Sequence, residues 1–162
     1  ADSNDKFPIV DTSATETKYI QASSLGLDSY TLTLSHGLFG ASDSTSYYFG
    51  GAYSSLPTNA GSTYYRLYIP KTGVIQQMTM TMINSGAFAT TENSTMAVRL
   101  NDTTDYEITA ELKHNSNGGY YTLTGQSIAV SAGDYIVGKW TTPAWVTNPT
   151  NVTHNIILFI KA

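Results

Sequence analysis

The feature that most constrains this chain is hydrophobic alternation with a period of two. Tyr30, Leu32 and Leu34 alternate with Thr31, Thr33 and Ser35, and Met78, Met80 and Met82 alternate with Gln77, Thr79 and Thr81. Met96, Val98 and Leu100, then Tyr106, Ile108, Ala110 and Leu112, repeat the device against polar partners. Successive side chains of a strand point to opposite faces, so each run predicts a strand with one face buried and one solvated. No stretch carries a comparable helical stripe, and Thr, Tyr, Val and Ile crowd the candidate strands, as a pleated surface favours. Turn chemistry falls between them at 71–73, 84–86, 101–102, 115–119 and 132–134, which leads us to expect hairpins between most neighbours. The expected fold class is all-β and antiparallel. A closed barrel and a two-sheet sandwich both protect strand edges, and we favour the sandwich.

At 162 residues the chain suits one compact domain. Residues 1–27 alternate less regularly, with Lys18–Gln21 their one convincing strand, and read as an N-terminal arm or edge strand. Residues 28–162 form the domain proper. Zero cysteines exclude disulfides, thiolate metal sites and thiol nucleophiles together. Only 12% of residues are charged, the formal net charge is -4, and the basic residues are scattered. Nucleic acid is therefore not an expected partner, because it needs a basic patch. The longest apolar run, Ile156 to Ile160, is far short of the roughly 20 residues of a membrane-spanning helix, so membrane insertion is not expected either.

Catalytic constellations are weak. The nucleophile elbow G-x-S-x-G is missing, and His36, His114 and His154 have no metal-ligand spacing, so isolated polar or core-edge histidines are expected. Oxygen-rich clusters at 2–5 and 101–105 read as a solvated terminus and an Asx-stabilised turn and not as calcium loops. Asp105 with Glu107, or Glu107 with Glu111, share a strand face, and residues two apart lie about 7 Å apart, a spacing compatible with inverting glycosidases. The face is polar, however, and nothing near them in sequence would raise a general acid's pKa. The expectation is a protein that is not an enzyme and that uses no cofactor or metal.

Binding has more support. The stretch from Tyr47 to Ser55 and the loop around Asn59 combine Tyr, Ser, Gly and Asn, a composition suited to adaptable recognition. Candidate ligand-binding residues are Tyr48, Tyr53, Asn59 and Trp145, against the alternatives that Tyr47, Phe49 and Tyr53 are core and that Trp145 anchors a proline-bounded loop. Two late strands look apolar on both faces. Tyr135 and Val137 oppose Ile136, Gly138 and Trp140, while Ile156, Leu158 and Ile160 oppose Ile157 and Phe159. A subunit interface or a covering loop would account for the second face, and Tyr135, Trp140, Ile157 and Phe159 are the interface candidates, with Trp140 assigned either to the core or to an interface. Thr-x-Thr runs at 31–33, 79–81 and 122–124 also raise the thought of a flat ice-binding array, a remote reading because sandwich sheets twist.

The order Gly133-Asp134-Tyr135 opening a strand, then Thr142-Pro143-Ala144-Trp145, Thr147-Asn148-Pro149 and an apolar closing strand, resembles the jelly-roll head modules near the ends of phage and viral fibre proteins. It is also similar to the ending of the complement-q and tumour-necrosis-factor-like jelly roll. The resemblance covers about the last hundred residues, 62–162, and residues 1–61 match no pattern of this kind. It implies an antiparallel jelly-roll β-sandwich, a homotrimer and a non-enzymatic, receptor-binding virion protein. Its implied partners are other virion proteins and a host-surface glycan or protein, at the virion surface or outside the cell. The alternatives are a capsid-decoration or fibre-capping module without a specific ligand, and a secreted carbohydrate-binding module.

Overall fold

A computed structural model describes residues 6–9, 18–21, 28–50, 58, 65–85, 92–113 and 118–162. They form strands β1 (Lys6–Ile9), β2 (Lys18–Gln21), β3 (Ser29–Phe39), β4 (Ser46–Phe49), β5 (Leu67–Tyr68) and β6 (Gly73–Ser85). These are followed by β7 (Asn93–Leu100), β8 (Thr104–Lys113), β9 (Gly119–Val130), β10 (Tyr135–Thr141) and β11 (Asn151–Lys161). The chain is an antiparallel β-sandwich. One sheet runs β4-β10-β7-β8, with β5 joined to β10, and the other runs β3-β11-β6-β9. β1 and β2 make a separate two-stranded sheet: the strand that the sequence predicts at Lys18–Gln21 is present, and its partner holds Pro8, which cannot donate to a ladder and so hides that strand in the sequence.

The eight long strands pair in nested fashion. β3 pairs with β11, β4 with β10, β6 with β9, and β7 with β8. This is one long hairpin rolled into two sheets, the double Greek key of a jelly roll. It corrects the expectation that hairpins join most neighbours, because among these eight strands only β7 and β8 are both consecutive and paired. Turns at 71–73 and 132–134 exist as expected, but they carry the chain from one sheet to the other. The β7–β8 turn is where sequence and hairpin agree. In this three-residue loop, 101–103, Asn101 and Asp102 both take positive φ, 49° and 56°, and the Thr103 amide closes the turn on the Leu100 carbonyl.

The core lies between the sheets. Leu34, Met78, Met80, Met82, Ile156 and Leu158 from one sheet meet Phe49, Met96, Val98, Ile136, Leu112 and Trp140 from the other. Their alternation in sequence is thus the alternation of the pleat. In β8, register shifts opposite Ser94, Met96 and Ala97 insert extra residues, while Ile108 and Leu112 lie inside and the half-buried Tyr106 packs against the core. Gly138 has a specific reason to be glycine. It stands opposite Phe49, and a Cβ there would lie 2.3 Å from the Phe49 ring, which is itself fully buried. Gly138→Val is therefore expected to cost about 1–3 kcal/mol by overpacking, read as a lower urea midpoint, and an unchanged midpoint would contradict this packing.

Candidate binding surfaces

The outer face of β3-β11-β6-β9 is built by register. Thr33, Ile157, Thr79 and Thr122 form one row across the sheet, and Thr31, Phe159, Gln77 and Thr124 the next. Ser35, Asn155, Thr81 and Tyr120 form a third. All three Thr-x-Thr runs converge here, yet β11 places Ile157 and Phe159 in their midst, so the threonine array is interrupted. These three rows contain no charged side chain. Phe159 is 41% exposed and Tyr120 and Ile83 more so, while Thr79 is buried and hydrogen-bonded to Gln77 and Thr122. β11 is therefore apolar on both faces, as its sequence suggested, and within this chain its second face is left open to solvent at Phe159.

The opposite outer face, on β4-β10-β7-β8, divides into a covered part and an open part. Tyr48, Tyr65 and Val137 form a small buried cluster on it. The Arg99 guanidinium lies over the Tyr48 ring and donates to its hydroxyl at 3.4 Å. Lys139, Ala97 and Glu107 are register neighbours in one row, and Thr141 and Thr95 in the next. Because Ala97 presents only a methyl group between longer side chains, a depression of about 220 Å³ opens over it, walled by Thr95, Thr141, Lys139, Asp105 and Glu107. Lys139 donates to Asp105 at 2.6 Å, and Arg99 approaches the same carboxylate at 3.6 Å.

Between the sheets sits a polar-aromatic cluster. His36 and His154 face each other across the β3–β11 ladder, with His154 Nδ1 and His36 Nε2 2.8 Å apart. Their rings pack on Trp140, and His36 also on Phe49. Burial pushes the His36 pKa down to about 3. This pair corrects the expectation of isolated histidines: 118 residues separate the two in sequence, and only the ladder joins them.

The sequence-derived sites are redistributed. Tyr48 is buried beside Tyr65 and not exposed for recognition. Trp145 is also buried, 6.5 Å from Trp140 between ring centroids, and its loop is tied down at Asp43, whose carboxylate accepts from the Trp145 amide and from Asn148. Trp145 is thus the loop anchor of the two alternatives. Tyr53 and Asn59 lie outside the described residues. Trp140 is completely buried, so of the two places open to it, core and interface, it takes the core and leaves the interface candidates, and its indole donates to Ser94 Oγ at 2.8 Å. Tyr135 sits under the Arg66 guanidinium and donates to Asp102, on the sheet opposite to Ile157 and Phe159, so the four candidates do not form one patch.

The cluster at 101–105 serves the turns. Asn101 bonds Asp134 and the Tyr135 amide, and Asp102 bonds Arg66 and Tyr135. Gly133 takes φ of 91°, and Asp134 accepts from the Ser131 amide, in the turn expected at 132–134. Those bonds from Ser131 and Asn101 hold the Asp134 carboxyl below its ordinary pKa. The depression around Ala97 and the histidine pair were missed by sequence reading, which has no access to which strands adjoin.

No known family model matches the sequence, and no curated protein is significantly similar to it. Among solved structures, the chain is similar to one described as "Crystal Structure of FLHE", at 14% identity and a TM-score of 0.45, covering 83% of this chain and 98% of that one. It is also similar to a chain of "Cyanophage Pam1 capsid asymmetric unit", at 11% identity and a TM-score of 0.48, covering 95% and 98% respectively. Likenesses this low carry no argument about activity, and the reading that follows rests on this chain's own surfaces.

Proposed function

We propose that this chain is a virion structural module, the jelly-roll head of a phage or viral fibre, which assembles as a homotrimer and meets a host-surface glycan or protein without catalysis. The observation that carries the reading is the three uncharged rows on the outer face of β3-β11-β6-β9, with Ile157 and Phe159 on its central strand and Tyr120 and Ile83 exposed nearby. Interface cores are depleted of charge and enriched in aromatics, and a symmetric assembly brings the same patch of every copy together, where like charges would repel. The nested strand order adds support, because it is the fold of the fibre modules that residues 62–162 resemble.

The experiment is solution mass by light scattering behind a sizing column. A mass near three chains is expected, and Phe159→Asp is expected to yield a monomer, since burying an unpaired carboxylate at each interface is strongly unfavourable. A wild-type monomer, or a Phe159→Asp variant that keeps its mass, would overturn the assembly part of the reading. A second reading, a decoration or capping module that recognises nothing, is favoured by one observation: Tyr48 and Trp145, two of four recognition candidates, are buried.

A further inference from the structure

We infer that the depression over Ala97 is a binding site for a single polyhydroxylated ring, neutral or amine-bearing, such as a terminal sugar. Its biological role rests on the attachment reading above, but binding itself is measurable whatever the assembly state. Three observations carry it.

The first is shape. Sheet faces are ordinarily ridged by their side chains, and here a methyl floor is flanked in its own row by Lys139 and Glu107. The resulting space of about 220 Å³ is enclosed by side chains of three strands, β7, β8 and β10. Drug-sized ligands occupy roughly 300–1,000 Å³, so this site takes one ring and not an extended chain.

The second is the kind and placement of polar groups. A carboxylate only accepts, an ammonium only donates, and a threonine hydroxyl does both. The walls supply all three, which matches vicinal hydroxyls that must donate and accept at once. Lys139 and Asp105 hold each other in place at 2.6 Å, and Thr141 is held by Ser46 at 3.0 Å, so part of the constellation is ordered before any ligand arrives. Preorganisation of this sort lowers the entropy lost on binding. Among the described residues Glu107 has no hydrogen-bond or ion-pair partner, which leaves its carboxylate open to accept from a ligand.

The third is charge. The lining holds one ammonium and two carboxylates; Lys139 and, from outside the lining, Arg99 both pair with Asp105, so the Glu107 carboxylate is the charge left facing the space without a cation. Anionic sugars are therefore disfavoured, whereas neutral or amino sugars are admitted, and the site makes a prediction about ligand class that a merely polar surface would not make.

The test is a nuclear magnetic resonance titration of the full-length, isotope-labelled chain with methyl glucoside, methyl galactoside, N-acetylglucosamine and glucosamine, with N-acetylneuraminic acid as the anionic probe. At least one of the first four is expected to shift the amides of Thr95, Ala97, Asp105, Glu107, Lys139 and Thr141 with millimolar affinity, and the anionic sugar to shift none of them. Ala97→Leu fills the floor and is expected to weaken binding at least tenfold. Glu107→Gln keeps the volume, so if Ala97→Leu fails to fold, a severalfold loss in Glu107→Gln serves the same purpose. No shift with any of the four, shifts located elsewhere, equal shifts from the anionic sugar, or undiminished binding in both variants would each overturn the inference. A monomer that binds a sugar here would sink the trimer and keep this site, and a trimer that binds none would do the reverse.

Discussion

Acidification from pH 7 to pH 4 is expected to remove about 3 kcal/mol of stability through His36 alone. The cause is burial among Phe49, Trp140 and His154, which disfavours the imidazolium and lowers the folded-state pKa from 6.5 to about 3. Above pH 6.5 both folded and unfolded chains carry a neutral His36, and the group contributes no pH dependence. Between the two values the unfolded chain takes up a proton that the folded chain refuses, so stability falls by about 1.4 kcal/mol per pH unit. Below pH 3 both states are protonated and the loss, about 5 kcal/mol in total, stops growing. The 2.8 Å contact reinforces this: one ring nitrogen must accept from the other, which two imidazolium rings cannot do. Urea unfolding at pH 7 and pH 4 measures the loss, and His36→Gln is expected to remove most of the pH dependence whatever it does to absolute stability. The same slope in the variant would show that other groups govern acid sensitivity.

Trp140→Ala is expected to lower the unfolding free energy by about 3–5 kcal/mol, the range for deleting a large buried aromatic. Trp140 is fully buried, packs against Tyr47, His36, His154 and Trp145, and donates its indole hydrogen to Ser94. Truncation therefore opens a cavity at the meeting of four rings and removes the buried Ser94 hydroxyl's indole donor. Trp140→Phe keeps most of the packing but loses that donor, and a smaller cost of about 1–3 kcal/mol is expected. Urea titration measures both. Because Trp140 touches no solvent, its replacement is expected to change the unfolding midpoint and leave the mass of the folded assembly alone. A folded Trp140→Ala variant that lost its partners would restore the residue to the interface.

The strands themselves were legible because burial on a pleated sheet writes a period of two directly into the chain. Thr31 to Leu34, Gln77 to Met82 and the apolar closing strand all announce which face goes inside. The Gly133-Asp134-Tyr135 turn was legible too, since positive φ and a capping carboxylate are local requirements. Tyr48 was not, because what buries it is Tyr65, seventeen residues on and across a segment whose path no local pattern specifies. Trp145 stood between platform and anchor until Asp43, Asn148 and Trp140 were seen around it.

By itself, then, the sequence determined an antiparallel all-β chain, the inward and outward residues of most strands, the turns at 71–73, 101–102 and 132–134, and the apolar Ile157 and Phe159 on the second face of β11. Each of these follows from the chemistry of residues within a few positions of one another. Tertiary structure alone decided that the strands form a sandwich and which of them adjoin: that the turns at 71–73 and 132–134 cross between sheets, that β3 meets β11 and so His36 meets His154, and that Ala97 lies between Lys139 and Glu107. Side chains on neighbouring strands are brought together by ladders that the nested winding closes over as many as 132 residues, from Ser29 to Lys161, a distance at which alternation carries no information about register or partner.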